Sequence, residues 1–267
     1  MTYQTIQTSL STKGVAELVL NRPEVHNAFG DVTIAEMQQA LRDFAANPAV
    51  RVLVLKSNGK NFSAGADLNW MRSMAQKNYQ QNLDDAGELA ELMRLLDNFP
   101  APTLALVQGA AFGGALGLVA CCDIALAEQS ASFCLSEVKI GLIPAVISPY
   151  VMRAIGERAC RRYFLTAERF DASAASQLGL VHQLVDAGQL QSAADAMLQQ
   201  LLQNSPAALR CAKELMAAVY QQPIDPSLID STSARIAAIR VSAEGQEGLT
   251  AFLEKRPPAW LASTENL

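Results

Sequence analysis

The feature that most restricts this chain is the run NFPAPTLALVQGAAFGGALGLVACC, residues 98–122, which carries no charged side chain. A membrane span needs about 20 consecutive apolar residues, so length alone raises that reading. Pro100, Pro102, Gln108, Gly109, Gly113, Gly114 and Gly117 interrupt the run. It reads instead as a buried strand (103–107), a break at Gly109, a Phe-Gly-Gly turn (112–114) and a short apolar helix (115–122), and no membrane span is expected. Paired glycines between a buried strand and a buried helix let the backbone approach a ligand. They also aim the unpaired N–H groups of the helix start at any negative charge there. The turn is therefore a candidate oxyanion site. Glu137 follows, with only Asp123 and Glu128 as other acids in residues 104–144. A carboxyl amid apolar sequence is either an acid/base group whose pKa desolvation lifts or a solvated loop residue, and the window alone leaves both open.

With 267 residues, 50% hydrophobic and 18% charged, the chain has enough apolar material for a packed core and is not disordered. A net charge of −5 without a long basic run argues against a nucleic-acid partner. Five scattered cysteines (Cys121, Cys122, Cys134, Cys160, Cys211) and two histidines suggest neither a zinc site nor a disulfide framework. The odd count fits a reducing compartment. The start, MTYQTIQTSL, lacks a basic segment and an apolar core, so no secretory signal is expected and the chain is read as cytoplasmic.

Along the chain, strands alternate with helices. Residues 15–20 form a strand candidate stopped by Asn21-Arg22-Pro23. Thr33 and Glu36 suggest a capping box for a helix with an apolar face of Ile34, Met37, Leu41 and Phe44. Residues 51–56 suit a buried parallel strand, followed by the turn cluster Ser57-Asn58-Gly59-Lys60. The small residues of 61–68 leave a second stretch of backbone accessible. A polar linker (75–85) reads as a mobile segment, a candidate lid, before a helix over 86–96. Residues 123–127 are a further strand, and from about 145 helices dominate: 148–155, 157–166, 172–178, 190–203, 206–220, 229–240 and 244–255, with one strand near 180–185. The division expected is a core over residues 1–195 carrying the site and a helical region over 196–267.

The motifs FSAGADL (62–68), GAAFGGALGL (109–118), CDIALA (122–127), SEVKIGLIP (136–144), TAERFDASAASQLGLV (166–181) and GLTAFLEKRPPAW (248–260) resemble, in order and spacing, those of the crotonase or enoyl-CoA hydratase/isomerase family. The likeness spans nearly the whole chain. It implies an α/β fold with a ββα spiral core, a C-terminal helical trimerisation region, an acyl-CoA substrate and no cofactor or metal. By motif position, the Ala66 and Gly114 amides would hold the thioester oxygen and Glu137 would act as the acid/base. Ala64, Gly65, Asp67, Leu68, Gly113 and Gly117, with Val25 and His26 of the preceding loop, would lie at the substrate or CoA. Phe252 and Lys255 would reach the CoA of a neighbouring subunit in a homotrimer or a dimer of trimers.

The chain departs from the family pattern at Gly117, where hydratases of this family carry a second glutamate. Isomerases of the family often work with one. Hydratase, isomerase and a non-catalytic acyl-CoA-binding member are therefore all expectations. FSAGADLNWM (62–71), GAAFGGALGLVACCD (109–123) and SEVKIGLIPAVISPYV (136–151) are most similar to bacterial hydratases of 3-methylglutaconyl-CoA and isohexenylglutaconyl-CoA. Such substrates carry a distal carboxylate, for which Arg72 and Lys139 are the candidate cations.

Other residues have plain alternatives. Trp70 and Met71 either line the acyl pocket or pack in the core, and His182, inside a strand pattern, reads as structural. Cys121 and Cys122 read as small buried residues. Arg153, Arg158, Arg161 and Arg162 suit a solvated helix face.

Overall fold

The computed structural model describes residues 3–262. Its strands are β1 Ile6–Leu10, β2 Val15–Leu20, β3 Val52–Ser57, β4 Thr103–Val107, β5 Ala110–Phe112, β6 Ile124–Glu128, β7 Ser132–Cys134, β8 Phe170–Asp171 and β9 Gln183–Val185. Its helices are α1 Asp31–Ala46, α2 Leu68–Met74, α3 Tyr79–Asp97, α4 Gly114–Cys121, α5 Ser148–Thr166, α6 Ala172–Gln177, α7 Leu190–Gln203, α8 Pro206–Val219, α9 Pro226–Arg240, α10 Ala243–Glu254 and α11 Ala259–Ala262. A six-stranded sheet runs β1-β2-β3-β4-β6-β9, with β1 antiparallel to β2 and the other pairs parallel. A second, three-stranded sheet runs β5-β7-β8.

The two sheets are linked by a repeat that the residue pattern did not reveal. After β4 the chain gives β5 to the small sheet and then α4; after β6 it gives β7 and then, through a 3₁₀ turn at Glu137–Ile140, α5. Following β3, Ser63 forms a parallel bridge to Ala111, so it occupies the small-sheet position in an earlier turn of the same path. Each turn thus contributes one strand to each sheet and a helix, the ββα spiral that the family resemblance implies.

Burial explains why the strands read as continuous apolar runs. In β4 every residue is buried. Ala105 and Val107 face the main core with α1, α3 and α4, whereas Leu104 and Leu106 face a second core with Val54, Leu126 and Ala194 of α7. A sheet covered on both faces selects hydrophobic residues at every position, not alternate ones. The uncharged run is thereby accounted for by β4, β5 and α4, and no described helix is long and apolar enough to cross a membrane. Helices α7 and α8 are tied to the sheet by polar contacts: Arg51 donates to the carbonyls of Leu202 and Asn204 at 2.7 and 3.0 Å, and Lys213 pairs with Asp123 at 2.7 Å.

Several local expectations are corrected. Gly30, not Thr33, is the N-cap of α1, and no capping box forms there. Glu36 is drawn instead to the N-terminal segment, accepting from Gln4 N–H (2.7 Å), Thr5 N–H (2.9 Å) and the Thr5 hydroxyl (2.6 Å). Residues 75–85 are mostly helix, because Asn78 caps α3 in a capping box with Gln81. The two helices expected over 148–155 and 157–166 form one element broken at Gly156, whose φ of 77° is non-helical.

The Glu36 contacts oppose the effect of burial, which alone raises a carboxyl pKa, and hold this one below its ordinary value. A depressed folded-state pKa contributes stability above the unfolded value of about 4.3, and that contribution is lost as pH falls through the folded value. Glu36→Gln is expected to cost about 1.5–3 kcal/mol near neutrality, by the worth of hydrogen bonds to a charged acceptor. In denaturant titrations the gap from wild type should close below about pH 4.3.

Candidate active site

A cavity of about 550 Å³ opens where consecutive turns of the spiral meet. Its wall includes Phe29, Ala66, Trp70, Met74, Asn82, Asp85, Ala86, Leu89, Gly114, Glu137 and the segment from Gly141 to Ile147.

The loop carrying Ala66 is held extended by backbone pairing. Ser63 N–H donates to Ala110 O and Phe112 N–H to Ser63 O, at 2.9 and 3.0 Å. Phe29 then forms a parallel bridge across Ala66, donating to Gly65 O (2.9 Å) and accepting from Asp67 N–H (3.0 Å). In such a bridge the intervening residue turns its own amide to the other side. The Gly114 N–H belongs to the first residue of α4 and has no partner within the helix. Among the described residues, neither the Ala66 nor the Gly114 amide has a hydrogen-bond partner, and both residues line the cavity. Gly113 adopts φ 54°, and a Cβ there would lie 3.2 Å from Glu137 Oε1. Glycine permits the left-handed turn and leaves that carboxyl room.

Glu137 begins the 3₁₀ turn after β7. Its Oε2 is buried with no hydrogen-bond partner among the described residues. Burial raises its pKa above the ordinary carboxylate value, partly offset by a hydrogen bond from its own backbone N–H. A half-buried carboxyl with an idle oxygen and a raised pKa can accept and return a proton. Two idle amides can hold an oxygen that becomes negative.

The other candidates separate by position. Ala64 donates its N–H to His26 O (2.9 Å), and Asn61 Nδ2 lies 3.1 Å from His26 Nδ1, so the Val25–His26 loop and the 61–68 loop form one rim. On that rim Val25, His26, Ala64 and Leu68 are exposed, whereas Gly65 is buried. Asp67 serves the scaffold: it accepts from Asn69 and Trp70 N–H as the N-cap of α2 and pairs with Arg22 at 2.9 Å. Burial alone would raise its pKa, but these contacts hold it below the ordinary value. Phe252 is 81% exposed on α10, and Lys255 is its C-cap, also exposed. Trp70 lines the cavity and Met71 does not. His182 bonds to β6 through its backbone N–H and Nδ1, consistent with a structural role. Burial pushes the Cys121 thiol up and the Cys122 thiol up to about 12, which leaves both protonated.

Of the candidates only Glu137, Ala66 and Gly114, with Trp70, line the cavity; Arg72, Lys139 and Gly117 stand off it like the rim residues. Arg72 points from α2 to Asn69 Oδ1 (2.7 Å), while the cavity is lined by Trp70 and Met74 of that helix. Lys139 is exposed and is not part of the wall. Gly117 is buried and covered by Ile147, which lines the cavity in its stead. A Cβ at 117 would lie 2.2 Å from Ile147 Cγ2, 2.7 Å from Ile147 Cβ and 3.3 Å from Met93 Sδ. The helix position at which the resemblance leads one to expect a second glutamate therefore has no room for any side chain.

The sequence reading missed Asn82 and Asp85, taking them as linker. The signal was present: carrying the apolar stripe of α3 (half-buried Leu89 and buried Leu92, Met93 and Leu96) back by helical spacing arrives at Asn82, Asp85 and Ala86. Polar residues on the inward face of a helix mark a cavity or a buried contact.

Gly117→Ala is expected to destabilise the fold by about 1–3 kcal/mol through overpacking. Gly117→Glu should be worse and add no activity. Combining Gly117→Ala with Ile147→Ala should recover part of the loss, as measured by thermal unfolding of single and double variants.

Comparison with known proteins agrees with this geometry. The profile of the enoyl-CoA hydratase/isomerase family matches residues 11–263. A crystal structure of an enoyl-CoA hydratase from Shewanella pealeana is 57% identical, with a TM-score of 0.93 over 96% of both chains. The mevalonyl-coenzyme A hydratase sidH of Aspergillus fumigatus is 32% identical over 98% of this chain and 97% of its own. The enoyl-CoA isomerase/hydratase fer4 of Mycosarcoma maydis is 31% identical over 97% and 96%. With its motifs in register, its fold shared with a solved relative and residues 11–263 matched by the family profile, this chain belongs to the enoyl-CoA hydratase/isomerase family.

Proposed function

We propose that this protein adds water across the C2=C3 double bond of an acyl-CoA thioester, with Glu137 carrying the proton and the Ala66 and Gly114 amides holding the thioester oxygen. The observation that carries this reading is the idle, buried carboxyl of Glu137 in one cavity with two uncommitted amides. The Glu137 carboxylate takes a proton from water as the water oxygen bonds to C3. The C2=C3 electron pair moves toward the carbonyl, giving an enolate whose oxygen the amides stabilise. The carboxyl then returns its proton to C2. Each preorganised donor is worth about 2.7–4 kcal/mol in sites of this type.

Isomerisation is the second reading, and the covered Gly117 favours it. With no carboxyl at that helix position, Glu137 could remove a proton from C2 of a 3-enoyl thioester and deliver it to C4. A non-catalytic acyl-CoA-binding role fits less well, since an unpartnered buried acid costs stability and binding alone does not need it. For the substrate, the motif likeness supports 3-methylglutaconyl-CoA, as in leucine breakdown, or a related branched compound such as isohexenylglutaconyl-CoA. The free cysteines support a reducing, cytoplasmic setting.

Helices α8–α10 expose Met216, Ile229, Ile236, Leu249, Phe252 and Leu253. This apolar surface supports a homotrimer or dimer of trimers, with Phe252 and Lys255 meeting the CoA of a neighbour. Phe252→Asp should lower the mass found by sedimentation equilibrium.

Following the enoyl-thioester absorbance, with product identification, separates hydration from isomerisation. Glu137→Gln should lower kcat by about 10²–10⁴-fold, the usual share of a positioned acid/base, while CoA binding by calorimetry persists. An active variant would refute the assignment. Because burial raises the Glu137 pKa, activity that needs its carboxylate should fall on acidification at a pH above the ordinary carboxyl value.

A further inference from the structure

We propose that Phe29 is a positioning residue that fixes the distance between the Ala66 and Gly114 amides, so that both meet one thioester oxygen. This rests on the enoyl-CoA reading above and deepens it. The two donors come from different turns of the spiral, and an oxyanion site works only where each N–H nitrogen lies about 2.7–3.1 Å from the same oxygen. Their common anchor upstream is the Ser63–Ala111 bridge. Between that bridge and each donor stands a left-handed glycine, Gly65 at φ 95° before Ala66 and Gly113 at φ 54° before Gly114. Glycine adopts many backbone conformations, so a bridge on its far side leaves the donor's own position open.

Phe29 constrains the donors from the other side. Its N–H donates to Gly65 O at 2.9 Å and its carbonyl accepts from Asp67 N–H at 3.0 Å, which clamps the peptides flanking Ala66. Arg22 Nη1 locks the same pairing by donating to Ala28 O at 3.0 Å and to Asp67 Oδ2 at 2.9 Å. The Phe29 segment and the Ala66 loop are thereby one unit. The Phe29 ring is the part of that unit that reaches Gly114: a Cβ there would lie 2.9 Å from Cζ and 3.4 Å from Cε2. The ring tip is seated against the bare Cα that glycine leaves. Phe29 is 1% exposed, and close packing holds a side chain so buried in one rotamer. A rigid ring between two donors is a spacer of fixed length.

The test compares Phe29→Leu with Phe99→Leu in the full-length protein. Phe99 is equally buried but stands outside the cavity wall, so its substitution controls for lost core packing. Butyryl-CoA isotope-labelled at its thioester carbonyl has no double bond to react, and the infrared stretch of that carbonyl reads how well the amides hold it. In wild type the stretch should lie below that of the free thioester. In Phe29→Leu it should move back toward the free value. With it, kcat for hydration of crotonyl-CoA or isomerisation of hex-3-enoyl-CoA should fall by about 10–100-fold, the usual penalty for a misplaced donor. KM should change by less than about threefold, because the donors act most strongly on the transition state. Phe99→Leu should lose comparable thermal stability with neither change. If Phe29→Leu does not fold, Phe29→Met, which keeps apolar volume without the ring, takes its place. If the Phe29 variant kept the wild-type stretch and kcat, lost only in KM, or was matched by an equal change in Phe99→Leu, the proposal would be overturned while the oxyanion reading stood. A wild-type protein that left the carbonyl stretch at its free value would sink both.

Discussion

The site depends on backbone pairing between loops that are far apart in sequence. Ser63 bridges to Ala111 and Phe29 bridges to Ala66, so the 62–67 segment is drawn out straight between two neighbours. The Phe29 bridge uses the Gly65 carbonyl and the Asp67 N–H and leaves the Ala66 N–H free. The Gly114 amide is free for another reason, its place at the start of a helix. Two idle N–H groups on one cavity would be costly if buried without a partner, and a ligand oxygen removes that cost.

The second constraint is steric. The approach of Ile147 to Gly117 closes α4 against the start of α5 and removes the position at which a second glutamate is expected. Among the described residues, the cavity is therefore left with one buried, unpartnered acid beside the glycine turn, Glu137. Asp85, paired with Lys77, is an additional carboxyl on the wall, contributed by α3.

The large sheet was legible because its strands are buried on both faces, and continuous runs such as TLALV and VLVLK cannot be solvated. Helices α7 and α10 were legible from their spacing and their neighbouring turns. The small sheet was not: β5, β7 and β8 are two or three residues long, too short to show a period, and exist because the spiral brings them together. Thr33 and Glu36 had the spacing of a capping box, but the Gln4 and Thr5 backbone offered Glu36 more hydrogen bonds than the helix start could. Likewise 75–85 looked like a loose linker because it is polar. The carbonyl contacts of Asn82 and the capping box at Asn78 make it a braced helical corner.

The sequence by itself determined the buried parallel strands, the glycine turn at 112–114, the isolated carboxyl of Glu137 and the family motifs, because each is written in residue type and local spacing. Only the tertiary structure decided that Ala66 and Gly114, with their unpaired amides, line one cavity, that Gly117 lies sealed beneath Ile147, and that Asn82 and Asp85 are wall residues. Those outcomes depend on contacts between segments many residues apart, and such contacts leave no local pattern in the chain.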